Sequence, residues 1–83
     1  MSNQPPLETF RHGKISVSVW SRRSKTGERF LVVSSPNRSY KIGDTWKRSY
    51  DLSLDEIRIG IELLRQAEHF MKQKEREMLS VNA

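Results

Sequence analysis

The 83-residue sequence contains no cysteine, which excludes a disulfide framework and a thiolate metal site, the two usual staples of small secreted domains. Long apolar runs are missing too. No stretch approaches the roughly 20 residues of a membrane helix, and Met1-Ser2-Asn3-Gln4-Pro5-Pro6 lacks the apolar segment of a signal peptide. A cytoplasmic protein with no membrane contact is the expectation. Catalytic signatures are equally sparse: there is no HExxH, no phosphate-cradling glycine loop, and only His12 and His69 as neutral-pH bases. One precedes the first clear strand and the other falls late in a helix, so nothing in the pattern brings them together. Asp55 and Glu56 resemble a carboxylate pair, but in the first turn of a helix they serve its dipole. Neither an enzyme nor a cofactor is expected.

Length sets the next bound. A chain this short forms one core and buries only about 60% of its unfolded surface, so a self-associating partner has real stabilising value. Charge is unevenly spread. Residues 1–50 carry ten Lys or Arg against three acidic side chains, a net +7, while residues 51–83 carry five against seven, a net −2. The positive field belongs to the first segment and suits a polyanion or an acidic protein surface.

Along the chain, residues 1–9 read as a flexible arm, residues 10–79 as a single domain and 80–83 as a tail. The run KISVSVW from Lys14 to Trp20 alternates strictly, with Ile15, Val17 and Val19 on one face. A basic loop, Ser21 to Gly27, follows, with Arg22, Arg23 and Lys25 as a candidate phosphate clamp. Strands are then expected at Arg29–Ser34, at Arg38–Ile42 after a Pro36-Asn37 turn, and at about Thr45–Leu52 after a tight Gly43-Asp44 connection. The four strands predict an antiparallel β-meander. Ser53 and Glu56 form a capping box that opens a helix near Leu54, and Ile57, Ile61, Leu64 and Met71 continue it at helical spacing. At about 1.5 Å per residue a helix of 20 or more residues outreaches a six-residue strand, so its last turns should overhang the sheet. The fold class is therefore α+β, four antiparallel strands followed by one long C-terminal helix.

Single-stranded nucleic acid is held by cations along its phosphates and by aromatic faces beneath its bases. Trp46, Arg48 and Tyr50 share one face of the fourth strand, and Lys47 and Ser49 share the other. Trp20, Tyr40, Lys14, Arg29, Arg38 and Lys41 complete the candidate set. Trp46 and Tyr50 are of types more often found in a core than as stacking platforms, yet Arg48 between them would be costly to bury unpaired. Phe30 and Val32 oppose Leu31 and Val33 in the second strand, so the second sheet face is not wholly polar and invites a subunit contact. The expected dimer interface lies on the helix at Gly60, Leu63, Leu64, Ala67, Phe70 and Met71.

The run Phe10-Arg11-x-Gly13-x-Ile15-x-Val17-x-Val19-Trp20, followed by Arg38-x-Tyr40-x-x-x-Asp44-x-Trp46, resembles a group of small bacterial and phage proteins. The order of elements, with a Gly-Asp turn, a tryptophan and Leu52-Ser53-Leu54 opening a helix, resembles the positive cofactor four family of single-stranded-DNA-binding transcription coactivators across about residues 14–70. That resemblance implies a dimer built partly through its helices, with basic and aromatic residues of curved sheets gripping DNA. Lys14, Trp20, Arg29, Lys47 and Arg48 would be the counterparts by position. The expectation is a homodimeric, non-catalytic module that binds single-stranded DNA or RNA with little sequence preference, in transcription or replication. The alternative is an adaptor or phage-type inhibitor that uses its basic face on an acidic protein.

Overall fold

In a computed structural model, which describes residues 5–81, the chain is an α+β domain with one antiparallel sheet and one C-terminal helix. The strands are β1 (Glu8–His12), β2 (Ile15–Arg23), β3 (Arg29–Val33), β4 (Asn37–Ile42) and β5 (Thr45–Ser49), followed by α1 (Leu54–Val81). There are five strands rather than four. The additional one, β1, falls partly in the expected N-terminal arm, whose residues 1–4 lie outside the described residues. Gly13, with φ 61°, heads a two-residue loop that joins β1 to β2 and closes the pair His12–Ile15. Gly43, with φ 60°, heads the matching loop between Ile42 and Thr45. Glycine at the first loop position with positive φ suits the twist of a two-residue hairpin.

The sheet is not a simple meander. β1 occupies one edge of β2, while β3 and β4 share the other edge end to end: β3 pairs with Val19–Arg23 and β4 only with Ile15 and Ser16. Pro36, which has no N–H to give a ladder, sits in the break between them. Side chains fill the gap in hydrogen bonding there. The Ser18 N–H donates to Ser34 Oγ at 3.0 Å, and Asn37 Nδ2 donates to the Ser16 carbonyl at 3.2 Å. β2 also runs on to Arg23, so Ser21, Arg22 and Arg23 are strand residues and the basic loop shrinks to Ser24–Glu28. The β4–β5 hairpin reaches past the end of β2 as a projecting arm.

Strict alternation in β2 decides which face is covered. Ile15, Val17 and Val19 are buried and pack with Leu63 and Ala67 of α1, with Phe10, Leu31, Leu52, Ile59, Phe70 and Met71 around them. Phe10 and Phe70 meet edge to face with centroids 5.9 Å apart. α1 begins where the capping box sets it: the Ser53 N–H donates to Glu56 Oε1 at 2.8 Å and the Glu56 N–H donates to Ser53 Oγ at 3.4 Å. Gly60 is buried where α1 meets the chain; a methyl group added there would lie 3.1 Å from Leu52 Cδ1 and 3.4 Å from Pro36. A helix glycine costs about 1 kcal/mol against alanine, and here it permits that close approach.

The expected helix interface is thereby redistributed. Gly60, Leu63 and Ala67 are buried, and Phe70 and Met71 are partly buried against the domain's own core. Leu64 alone of the six is classed as exposed. No helix among the described residues is long and apolar enough to cross a membrane.

Candidate nucleic-acid interface

Residues directly opposite in an antiparallel pair project to the same face, so the register assigns every strand residue to the helix side or to the open side. From Trp20↔Val32 and Arg22↔Phe30, these four stand opposite the helix. Arg11↔Ser16 and Thr9↔Ser18 place Arg11 and Thr9 with them, and Asn37↔Ser16 carries the same face into β4. There it continues through Ser39↔Arg48 and Lys41↔Trp46. Among the described strand residues the open face thus carries Arg11, Arg22, Lys41 and Arg48 and no carboxylate.

These residues are distributed in two clusters. At one end Trp46 is 67% exposed, with Lys41 Nζ 5.8 Å from its ring centroid and Arg48 beside it. At the other, the Arg22 guanidinium lies 5.5 Å from the Trp20 ring centroid, and Phe30 is 44% exposed in the neighbouring strand. Between them runs a polar strip in which Ser16 and Asn37 are buried and Thr9 and Ser18 half-buried. Its groups are already satisfied: Thr9 Oγ1 and Ser18 Oγ are 3.0 Å apart, and Ser16 Oγ donates to Asn37 Oδ1 at 3.3 Å. The exposed Trp46 ring stands beyond one end of this strip, and the half-buried Trp20 with the exposed Phe30 ring beyond the other. A cation over an aromatic face is held near the ring without leaving water, so each cluster offers a flat stacking surface with a positive charge attached.

Seven of the twelve expected binding residues lie elsewhere. Lys14 is in the β1–β2 turn and Lys25 in the Ser24–Glu28 turn. Arg23, Arg29, Tyr40 and Lys47 project to the helix side of the sheet, because they pair with or alternate from residues of that side. Arg38 is also on that side and forms an ion pair with Glu56 of α1 at 3.6 Å. That ion pair links the hairpin to the helix start, while the Arg38 Nε is buried without a hydrogen-bond partner among the described residues. Trp20, Arg22, Lys41, Trp46 and Arg48 do share one face. Arg11 and Phe30 join them, and both escape sequence reading because their placement depends on β1 and on the β2–β3 register. The signal for Arg11 lay in Gly13-Lys14, a two-residue loop with alternating Thr9-Phe10-Arg11 before it.

Among the described residues Glu56 is the one group whose titration is clearly displaced. The Ser53 backbone N–H holds its carboxyl below the usual 4.5, burial opposes this, and the Ser53 hydroxyl and Arg38 add to the lowering. This is a helix-start feature and lies off the open face. His12 and His69 are both exposed, and no group of three or more His, Asp or Glu among the described residues could hold a metal ion. Comparison with family models, with curated proteins and with solved structures finds no match for this chain.

Proposed function

We propose that the protein is a binding module for single-stranded DNA or RNA, with the open sheet face as its binding surface and little preference for base sequence. The observation that supports this reading most is the gathering of both tryptophans and Phe30 with four cations on one uncovered face that has no carboxylate among its strand residues, while the four strand cations of the helix side, Arg23, Arg29, Arg38 and Lys47, have no tryptophan among them. An apolar protein partner would call for a larger greasy patch, and a duplex would call for an element shaped to a groove. Exposed rings with adjoining cations suit unstacked bases and their phosphates. Trp20 and Trp46 act as the two stacking platforms, and Arg11, Arg22, Lys41 and Arg48 neutralise the backbone between and around them.

The test is a fluorescence-anisotropy titration with single-stranded and duplex oligonucleotides at several salt concentrations. Single strands should bind better, with a log–log salt slope on the order of −3 for four neutralised phosphates at about 0.7 each. Trp46→Ala and Trp20→Ala should each cost about 1–3 kcal/mol of binding. The face assignment gives a sharper comparison. Arg48→Ala should weaken binding and flatten the salt slope, whereas Lys47→Ala, one residue away on the other side, should leave both near wild type. Equal effects from the two variants would remove the open face as the site. Absence of binding at low salt would end the nucleic-acid reading and turn attention to an acidic protein partner.

A further inference from the structure

The molecule is under-buried for its size. A compact monomer of 9.8 kDa exposes about 5,200 Å² by the usual scaling of surface with mass, yet this chain exposes 6860 Å². Its radius of gyration is 15.1 Å where about 12 Å is usual for this length. The excess surface, about 1,700 Å², is about twice the roughly 800 Å² that each partner gives to a standard interface. Part of the exposed apolar surface, from Phe30, Val33, Ile57, Ile61 and Leu64, gathers at one corner.

That corner has two walls. One is the free edge of β3. The Ser34 N–H donates to the Ser18 carbonyl, so by alternation Phe30 and Val32 address β2, while the N–H and C=O groups of Leu31 and Val33 point outward. The segment Arg29-Phe30-Leu31-Val32-Val33 carries one charge and no proline, so it lacks the usual guards against pairing. The outer strands β1 and β5 are better protected, by Glu8, Arg11 and His12 and by Lys47 and Arg48. The second wall is the flank of α1. Gly60 faces Pro36 at the β3–β4 junction and Phe70 faces Phe10 of β1. Ile57, Ile61 and Leu64 follow Gly60 around the helix at about 100° per residue and so overhang the β3 side. They are 45%, 48% and 36% exposed.

We propose that a second copy of this chain occupies the corner, pairing β3 with β3 antiparallel about a two-fold axis near Leu31 and covering the Ile57–Ile61–Leu64 flank. A second copy is the occupant that matches both walls at once, since a two-fold contact requires a self-complementary patch and a five-residue strand centred on Leu31 pairs with itself in register. It also buries part of that excess surface. The pairing makes the two open faces continuous, because Phe30 of each copy then lies opposite Val32 of the other. Trp20, Arg22 and Phe30 of both protomers come together at the centre of one platform, with a Trp46 cluster at each end. This last consequence rests on the nucleic-acid reading above; the dimer itself does not.

Sedimentation equilibrium without nucleic acid tests the dimer, alongside amide hydrogen exchange. The wild type should sediment at about twice 9.8 kDa. Ile61→Glu, on an exposed position, should yield a monomer with unchanged helical circular dichroism, and Ile61→Leu should stay dimeric. The outward amides of Leu31 and Val33 should exchange at least tenfold faster in Ile61→Glu than in the wild type. A wild-type monomer at millimolar concentration would overturn the proposal, as would an Ile61→Glu dimer or equally fast exchange at Leu31 in both proteins. If the dimer forms but binds no oligonucleotide, the nucleic-acid reading fails and the dimer stands. If both hold, a long single strand should saturate at one per two wild-type chains and bind Ile61→Glu more weakly.

Discussion

Lys47 and Arg48 are neighbours of like charge, yet the pleat sends one to the helix side and the other to the open face. Alternation within a strand was legible from the sequence, and it correctly grouped Trp46 with Arg48 and separated Lys47. The sequence predicts strands paired in chain order as a meander, whereas β4 pairs with β2 rather than with β3, and the candidate set drawn from that pattern joins Arg23, Arg29, Arg38 and Tyr40 to residues that stand on the opposite side. A basic residue counts toward a surface only when the register is known. Val17 illustrates the covered side: it is fully buried at the centre of β2, and Val17→Ala should lower unfolding stability by about 2 kcal/mol through lost burial and an unfilled cavity. Chemical denaturation checks this, and a change below about 0.5 kcal/mol would place the core elsewhere.

At the scale of elements, α1 was the most legible because its start is written in chemistry that acts locally. Ser53 and Glu56 satisfy each other's backbone amides, and that requires no knowledge of the rest of the fold. Ser53→Ala should cost about 1 kcal/mol, read as a lower thermal midpoint with the helix otherwise intact. Glu56 adds a pH dependence of known sign. Its folded carboxyl titrates below 4.5, so the unfolded chain binds more protons in acid. The contribution is complete above about 4.5 and fades as pH falls through that value toward the lower folded one. In Glu56→Gln the fall in stability on going from pH 6 to acid should be shallower than in the wild type, measured by denaturation at each pH. β1 was missed because its five residues lie before a glycine in a stretch rich in polar side chains. The Gly13-Lys14 loop was the available sign. The division of one β2 edge between β3 and β4 rests on Ser34 and Asn37 replacing backbone partners, and long-range substitutions of that kind leave little trace in local patterning.

For the whole molecule the informative feature is the segregation of rings. The centre of the helix side is an apolar core, both tryptophans and Phe30 stand on the open side, and the β3 edge is left largely apolar and unpaired. Composition alone gave the basic half of the chain, but not that its cations divide between two faces, nor that the expected helix interface mostly turns inward. Both tryptophans of the protein stand on the open face, which makes their emission a reporter of that surface alone. The most direct measurement is therefore tryptophan fluorescence of Trp20→Phe and Trp46→Phe during titration with an unlabelled single-stranded oligonucleotide. Stacking of bases on both platforms should quench the remaining tryptophan in each variant, saturably and reversibly with added salt. If neither tryptophan responds while the protein remains folded, the open face is not a nucleic-acid surface and the central claim is wrong.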